Sequence, residues 1–210
     1  GMTRAGRHRL VVDLAATSRN WALPPEGADR IRAAAPTAWE VVVASTPAVS
    51  DGDGGRAASP EVLSAMRDAE AYFGFGLTRD LFQAAPRLRW VHSAAAGVAS
   101  LLYPEMLASD VVVTNSAGIM GDPIAEQVVG GVLYFVRNLD IAVHQQRRAE
   151  WNKAPFTGEA ATVRELSECR AVVLGTVGIG SAVARRLSAL GCPCVGVRRR
   201  PGQPIPPGFE

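Results

Sequence analysis

The residues of this chain best suited to chemistry form the run Gly175-Thr176-Val177-Gly178-Ile179-Gly180. It follows an apolar β-branched segment and precedes an amphipathic one. Dinucleotide-binding turns have the form Gly-x-Gly-x-x-Gly. The first glycine makes the turn, the second lets a pyrophosphate approach the backbone, and the third lets the helix pack on the strand. The helix start then offers free N–H groups and partial positive charge to phosphates. In the register beginning at Gly175, Val177 stands in the second place and Gly180 in the third. A register beginning at Gly178 is the alternative. The first is preferred because the strand must end near Gly175 and the helix begin near Ile179. Gly175, Val177, Gly178, Ile179 and Gly180 are therefore candidate cofactor contacts. The same spacing would also serve a strand–helix turn that merely needs glycines.

The next apolar strand ends in Arg198, Arg199 and Arg200. An Asp or Glu at such a place would bond the ribose hydroxyls of NAD. A guanidinium instead fits a 2′-phosphate by charge and by bidentate geometry. With the glycine turn upstream, the cluster favours NADP over NAD; on its own it would read as a solvated loop.

The elements that must position these residues are legible as alternating apolar runs and helical stretches. Strands are expected over residues 9–14, 39–45, 71–75, 88–93, 111–115, 171–175 and 194–197. Helices are expected over 25–34, 60–68, 79–84, 98–108, 122–151 and 179–190. Ser59-Pro60-Glu61 is a helix start, with Ser59 as cap and Pro60 in the first position. The strand runs are nearly continuous in apolar residues, as in parallel strands buried on both faces. The alternation predicts an α/β fold with a parallel sheet. Residues 122–151 would form one long helix, apolar with small residues in its first half and polar in its second. Such small residues allow close packing on another helix, of this chain or of a partner. Residues 50–55 read as a surface loop, where Asp51 and Asp53 lack the sustained spacing of a calcium loop. No metal site is expected.

The chain has 210 residues, 48% of them hydrophobic and 20% charged, enough for a sizeable core. Its net charge of +2 is too small to argue for a nucleic-acid or anionic membrane partner. No apolar run reaches the roughly 18 residues of a membrane span. No signal peptide is read, and Gly1 ahead of Met2 reads as an added residue. The odd count of three cysteines, Cys169, Cys192 and Cys194, favours a reducing, cytoplasmic setting. Cys192 and Cys194 read as small residues at the start of a buried strand. His8 and His144 are expected to face solvent, and His92 to be a structural residue on a strand.

Four segments together resemble the D-isomer-specific 2-hydroxyacid dehydrogenases, most closely their glyoxylate/hydroxypyruvate reductase-like members. They are Leu88-Arg-Trp-Val-His-Ser-Ala-Ala-Ala-Gly97-Val98, Val113-Thr-Asn-Ser-Ala-Gly118-Ile119 leading to Glu126, the turn and helix from Gly175 to Leu187, and Val195-Gly-Val-Arg-Arg-Arg-Pro201. The resemblance implies a flavodoxin-like parallel-sheet substrate domain, here over residues 1–118. Residues 119–210 would be the first part of a Rossmann dinucleotide-binding domain. It implies that Ala95, Ala96, Gly97 and Val98 offer backbone N–H groups to a substrate carboxylate. From the residues alone, the same loop reads equally as a tight turn without a ligand. Ala99 and Val177 depart from the family pattern. The implied activity is NAD(P)-dependent reduction of small 2-oxo acids to D-2-hydroxy acids, with a homodimer as the assembly. The family's catalytic Arg, Glu and His lie downstream of the arginine-cluster strand and match no residue here. The expectation is therefore a fragment, inactive by itself. Two other readings remain open: a nucleotide-binding or structural homologue without catalysis, and a flavodoxin-like regulatory domain that binds no nucleotide.

Overall fold

The computed structural model describes residues 8–47, 58–159, 161–200 and 202–210. The chain divides into two units, Gly1–Ala117 and Gly118–Glu210. The loop carrying Asp51 and Asp53 lies outside the described residues.

In the first unit, strands β1 (His8–Asp13), β2 (Trp39–Val43), β3 (Ala71–Gly74), β4 (Trp90–Ser93) and β5 (Val112–Asn115) form a parallel sheet in the order β2-β1-β3-β4-β5. The alternating pattern predicts the parallel sheet, and the order is the flavodoxin-like one that the resemblance implies. Helices α1 (Pro25–Ala34), α2 (Pro60–Met66), α3 (Arg79–Gln83) and α4 (Pro104–Leu107) connect them. One sheet face carries Val11, Tyr72 and Val91, buried with Val62 and Met66 of α2, Leu81 of α3 and Met106 of α4. On the other, Val12 is buried with Leu14 and Phe75, and Ile31 of α1 packs against them.

Local chemistry sets the helix starts. Ser59 Oγ accepts the Val62 N–H at 3.2 Å with Pro60 next in line, as the sequence predicts. Thr78 Oγ1 caps α3 in the same way, accepting from Leu81 N–H. The single helix expected over 98–108 is instead a 3-10 turn at Ala99–Leu101 followed by α4. The cause is Pro104, which bars the preceding residue from helical backbone; Tyr103 is extended at φ −88°, ψ 159°.

Glu61, in the first turn of α2, accepts from the backbone N–H and hydroxyl of both Ser45 and Thr46. These bonds, Thr46's hydroxyl foremost, hold its carboxyl down at about 2 against an ordinary 4.5. A depressed carboxylate stabilises the fold above its unfolded pKa and loses that contribution as pH falls through the folded value. Glu61→Gln is therefore expected to lower stability by about 1 kcal/mol near neutrality. The gap should close as pH falls from about 4.5 toward about 2. Urea titrations of both chains across that range check it, and a pH-independent gap would refute it.

His8 is not merely solvent-facing. Its Nδ1 lies 2.9 Å from Glu70 Oε2, and its ring sits 5.0 Å from that of Trp39. Glu70 is only 7% exposed, so its carboxylate needs partners, and Arg87 supplies another at 2.7 Å. The His8 contact holds the Glu70 carboxyl below its ordinary range.

The second unit comprises α5 (Gly121–Val136), α6 (Leu139–Arg147), α7 (Ala154–Thr157), β6 (Ala171–Leu174), α8 (Ile179–Ala189) and β7 (Cys194–Val197). Strands β6 and β7 pair in parallel. The core joins Ala125 of α5 with Ala182, Val183, Ala184 and Leu187 of α8 and with Cys192 and Cys194. Helix α5 thus packs on α8 of its own chain, and Arg186 reaches Asp122 at 3.0 Å and Glu126 at 3.6 Å. Cys192 and Cys194 are free and buried as expected, and burial pushes the Cys194 thiol up. Phe209 packs on this core, while the Glu210 N–H donates to Cys194 O at 3.0 Å.

Two expectations fail here. The helix over 122–151 breaks at Asn138, which takes the left-handed conformation at φ 54°, ψ 31° between α5 and α6. Asparagine tolerates that region better than most residues. Its buried amide also donates to Pro155 O at 3.0 Å and Thr162 Oγ1 at 3.2 Å. Nor are all strands buried on both faces. Val172 and Leu174 are 61% and 83% exposed, because the core of this unit forms on the opposite side chains of the two strands.

Candidate functional site

In the second unit the glycine turn has the register that begins at Gly175. The Gly175 N–H donates to Val197 O at 2.8 Å, which ends β6 against β7. Gly175 then turns at φ 97°, and Gly178 sits at φ 55°, ψ −117°, a combination that only glycine adopts readily. Gly180 is the close-packing glycine. A Cβ there would fall well inside contact distance of the Gly175 carbonyl oxygen and 3.2 Å from Val173 Cγ1. By contrast, a Cβ on Gly175 or Gly178 would point into open space. No side chain caps α8, and its first turn carries no acidic residue. Val177 is 76% exposed and projects from the turn. Ile179, 41% exposed, opens the helix, while Thr176 behind it is buried.

The three arginines differ. The Arg198 guanidinium donates to the backbone carbonyls of Gln203 and Pro204, which ties down the following loop. Arg199 and Arg200 are exposed. Sequence spacing groups the three; the loop separates their roles.

In the first unit, Ala95, Ala96, Gly97 and Val98 follow β4 after the single residue Ala94. The Ser116 N–H donates to Ala95 O at 3.3 Å, and the Asn115 side-chain amide donates to Ala96 O at 2.6 Å. Among the described residues, the backbone N–H groups of Ala96, Gly97 and Val98 have no acceptor. Ala96 and Gly97 are exposed, Ala95 and Val98 partly so. Three charge-seeking donors in a row are what a carboxylate requires.

The holders of this loop, Asn115 and Ser116, appear in the sequence only within a resemblance segment that assigns them no role. Their signal is positional: two polar residues that close a β-branched strand. His92 joins them. Its Nδ1 is 2.8 Å from Thr114 Oγ1 and its Nε2 3.2 Å from Ser116 Oγ. Burial pushes its pKa below the ordinary value. The described residues hold no cluster of three or more His, Cys, Asp or Glu placed to bind a metal, and none of their helices is long and apolar enough to cross a membrane.

Residues 129–205 match the NAD-binding domain of the D-isomer-specific 2-hydroxyacid dehydrogenases. The chain is 27% identical over 139 residues to D-3-phosphoglycerate dehydrogenase of Methanocaldococcus jannaschii, covering 65% of this chain and 26% of that protein. It is 29% identical over 132 residues to glyoxylate reductase of Thermofilum pendens, covering 61% and 39% respectively. A crystal structure of a D-isomer-specific 2-hydroxyacid dehydrogenase family protein from Aeromonas salmonicida shares the fold. Its TM-score is 0.70 at 22% identity, over 98% of this chain and 57% of that one. The chain thus spans well under two thirds of the length of these relatives. With an α/β parallel-sheet fold and a Rossmann-type glycine turn, the chain is similar to the D-isomer-specific 2-hydroxyacid dehydrogenases, and its residues 129–205 match their NAD-binding domain.

Proposed function

We propose that this chain contributes cofactor and substrate binding to an NADP-linked reductase of small 2-oxo acids of the glyoxylate/hydroxypyruvate type. The observation that carries the reading is the turn itself. Gly175 and Gly178 have positive φ, a Cβ on either would fill open space, and Gly180 seats an uncapped helix start against the Gly175 carbonyl. These residues fit a dinucleotide: the pyrophosphate would lie over the turn against the first N–H groups of α8. Arg199 and Arg200 are the free guanidinia for a 2′-phosphate, with Arg198 bracing their loop. The bound nicotinamide would supply hydride to the keto carbon of the substrate. Ala96, Gly97 and Val98 would hold the substrate carboxylate, and Ala95 would anchor the loop. A homodimer accompanies this reading by family resemblance, and a cytoplasmic location by the odd count of cysteines.

The test is fluorescence titration of the chain with NADPH and NADH. NADPH is expected to bind more tightly. Arg199→Ala/Arg200→Ala should weaken NADPH about tenfold, roughly 1.4 kcal/mol, and leave NADH within about twofold. Equal loss for both cofactors would assign the arginines to the loop instead. Val177 in the second glycine place favours a second reading, a nucleotide-binding homologue without catalysis, and failure to bind either cofactor would support a domain that binds no nucleotide.

A further inference from the structure

We propose that His92 is a positioning residue: acting through Ser116, it clamps the loop after β4 so that the Ala96 and Gly97 N–H groups face a bound carboxylate. The proposal rests on the carboxylate reading of that loop given above.

The hydrogens can be assigned one by one. Trp90 Nε1 can only donate, and it does so to Thr114 Oγ1 at 2.9 Å. The single hydroxyl hydrogen of Ser116 goes to Ser93 O at 3.1 Å. Ser116 Oγ can then only accept at its other contact, so His92 Nε2 carries the hydrogen. In the neutral ring Nδ1 is left as an acceptor, and it takes the Thr114 hydroxyl hydrogen at 2.8 Å. The ordered series runs from Trp90 through Thr114, His92 and Ser116 to the backbone of Ser93, with no hydrogen unassigned. Phe73 of β3 flanks the ring at 5.0 Å.

Ser116 connects this series to the loop. Its hydroxyl holds Ser93 O and its N–H holds Ala95 O, while the neighbouring Asn115 amide holds Ala96 O. In a trans peptide the C=O and the following N–H point in opposite directions. Drawing the Ala95 and Ala96 carbonyls toward the end of β5 therefore turns the Ala96 and Gly97 N–H groups the other way, side by side. His92 locks the Ser116 rotamer on which the Ser93 contact depends, and that contact seats Ser116 where its backbone N–H meets Ala95 O. The register makes this possible, because His92 pairs with Thr114 and Ser93 with Asn115 across β4 and β5.

The test uses two substitutions that separate the ring nitrogens. A glutamine amide reaches the place of Nε2 and can still donate to Ser116. An asparagine reaches only the place of Nδ1. Backbone ¹⁵N–{¹H} relaxation reads loop order, and titration with oxamate, an unreactive 2-oxo acid analogue, reads carboxylate affinity. His92→Asn and Ser116→Ala are each expected to lower the Ala96 and Gly97 relaxation values toward those of a mobile loop. Both should also raise the oxamate Kd about tenfold. His92→Gln should stay within about twofold of wild type, and the His92→Asn/Ser116→Ala double variant should lose no more than either single one. The proposal is overturned if His92→Asn keeps wild-type loop order, or if His92→Gln loses as much as His92→Asn. Wild type that ignores oxamate while the relaxation pattern holds supports the clamp and removes the carboxylate reading alone.

Discussion

Gly180→Ala is expected to destabilise the second unit by about 3 kcal/mol and to raise the NADPH Kd by at least about tenfold. The reason is spatial. The helix start must pass so close to the end of β6 that a Cβ at this position would meet the Gly175 carbonyl oxygen and Val173. The obstruction is mainly backbone, so no rotamer change relieves it, and α8 must shift away from the strand. That shift strains the core that α8 shares with α5 through Ala182, Val183 and Leu187. It also displaces the N–H groups offered to the pyrophosphate. Urea unfolding monitored in the second unit, with NADPH titration alongside, measures both effects. Gly97→Ala is the internal control: a Cβ there meets nothing within 4 Å, so stability should change by less than about 0.5 kcal/mol. Equal stabilities for the two variants would show that Gly180 is not needed for helix–strand contact.

Asn138→Val should cost about 3 kcal/mol, for two separable reasons. The residue sits at φ 54°, ψ 31°, where a β-branched side chain is strained by about 1–2 kcal/mol. Its buried amide also donates to Pro155 O and Thr162 Oγ1, bonds together contributing about 1–2 kcal/mol. Asn138→Gly removes only the second contribution, so the stabilities should rank wild type above Asn138→Gly above Asn138→Val. Denaturant midpoints of the three chains check the order. If the glycine variant is as unstable as the valine variant, the backbone conformation contributes nothing and the hydrogen bonds carry the whole effect.

The elements were readable in the sequence because their determinants are local. β1 through β7 fall within two residues of the apolar runs that announce them, and Ser59-Pro60 starts α2 where capping chemistry says it must. The register of the glycine turn was readable as well, since the end of β6 and the start of α8 leave only four residues to arrange. The same local signals misled where a distant partner decides. Helical periodicity runs straight through Asn138, and only Pro155 and Thr162, packed beside it, make a left-handed break favourable there. His8 looked like a solvent-facing residue until the fold brought it to the buried carboxylate of Glu70, 62 positions away. The arginine cluster is contiguous in sequence, yet the loop carbonyls that engage Arg198 set it apart from Arg199 and Arg200. At the candidate carboxylate loop, the small residues Ala95, Ala96 and Gly97 were visible from composition. The direction of their N–H groups was not. It depends on the β4–β5 register, which sets His92 and Ser116 at hydrogen-bonding distance. The sequence alone thus determined which segments become strands and helices and which backbone turns need glycine, because those preferences are written within a few residues. The tertiary structure alone decided which polar groups meet, because hydrogen-bond partners far apart in the chain are selected by strand order and register.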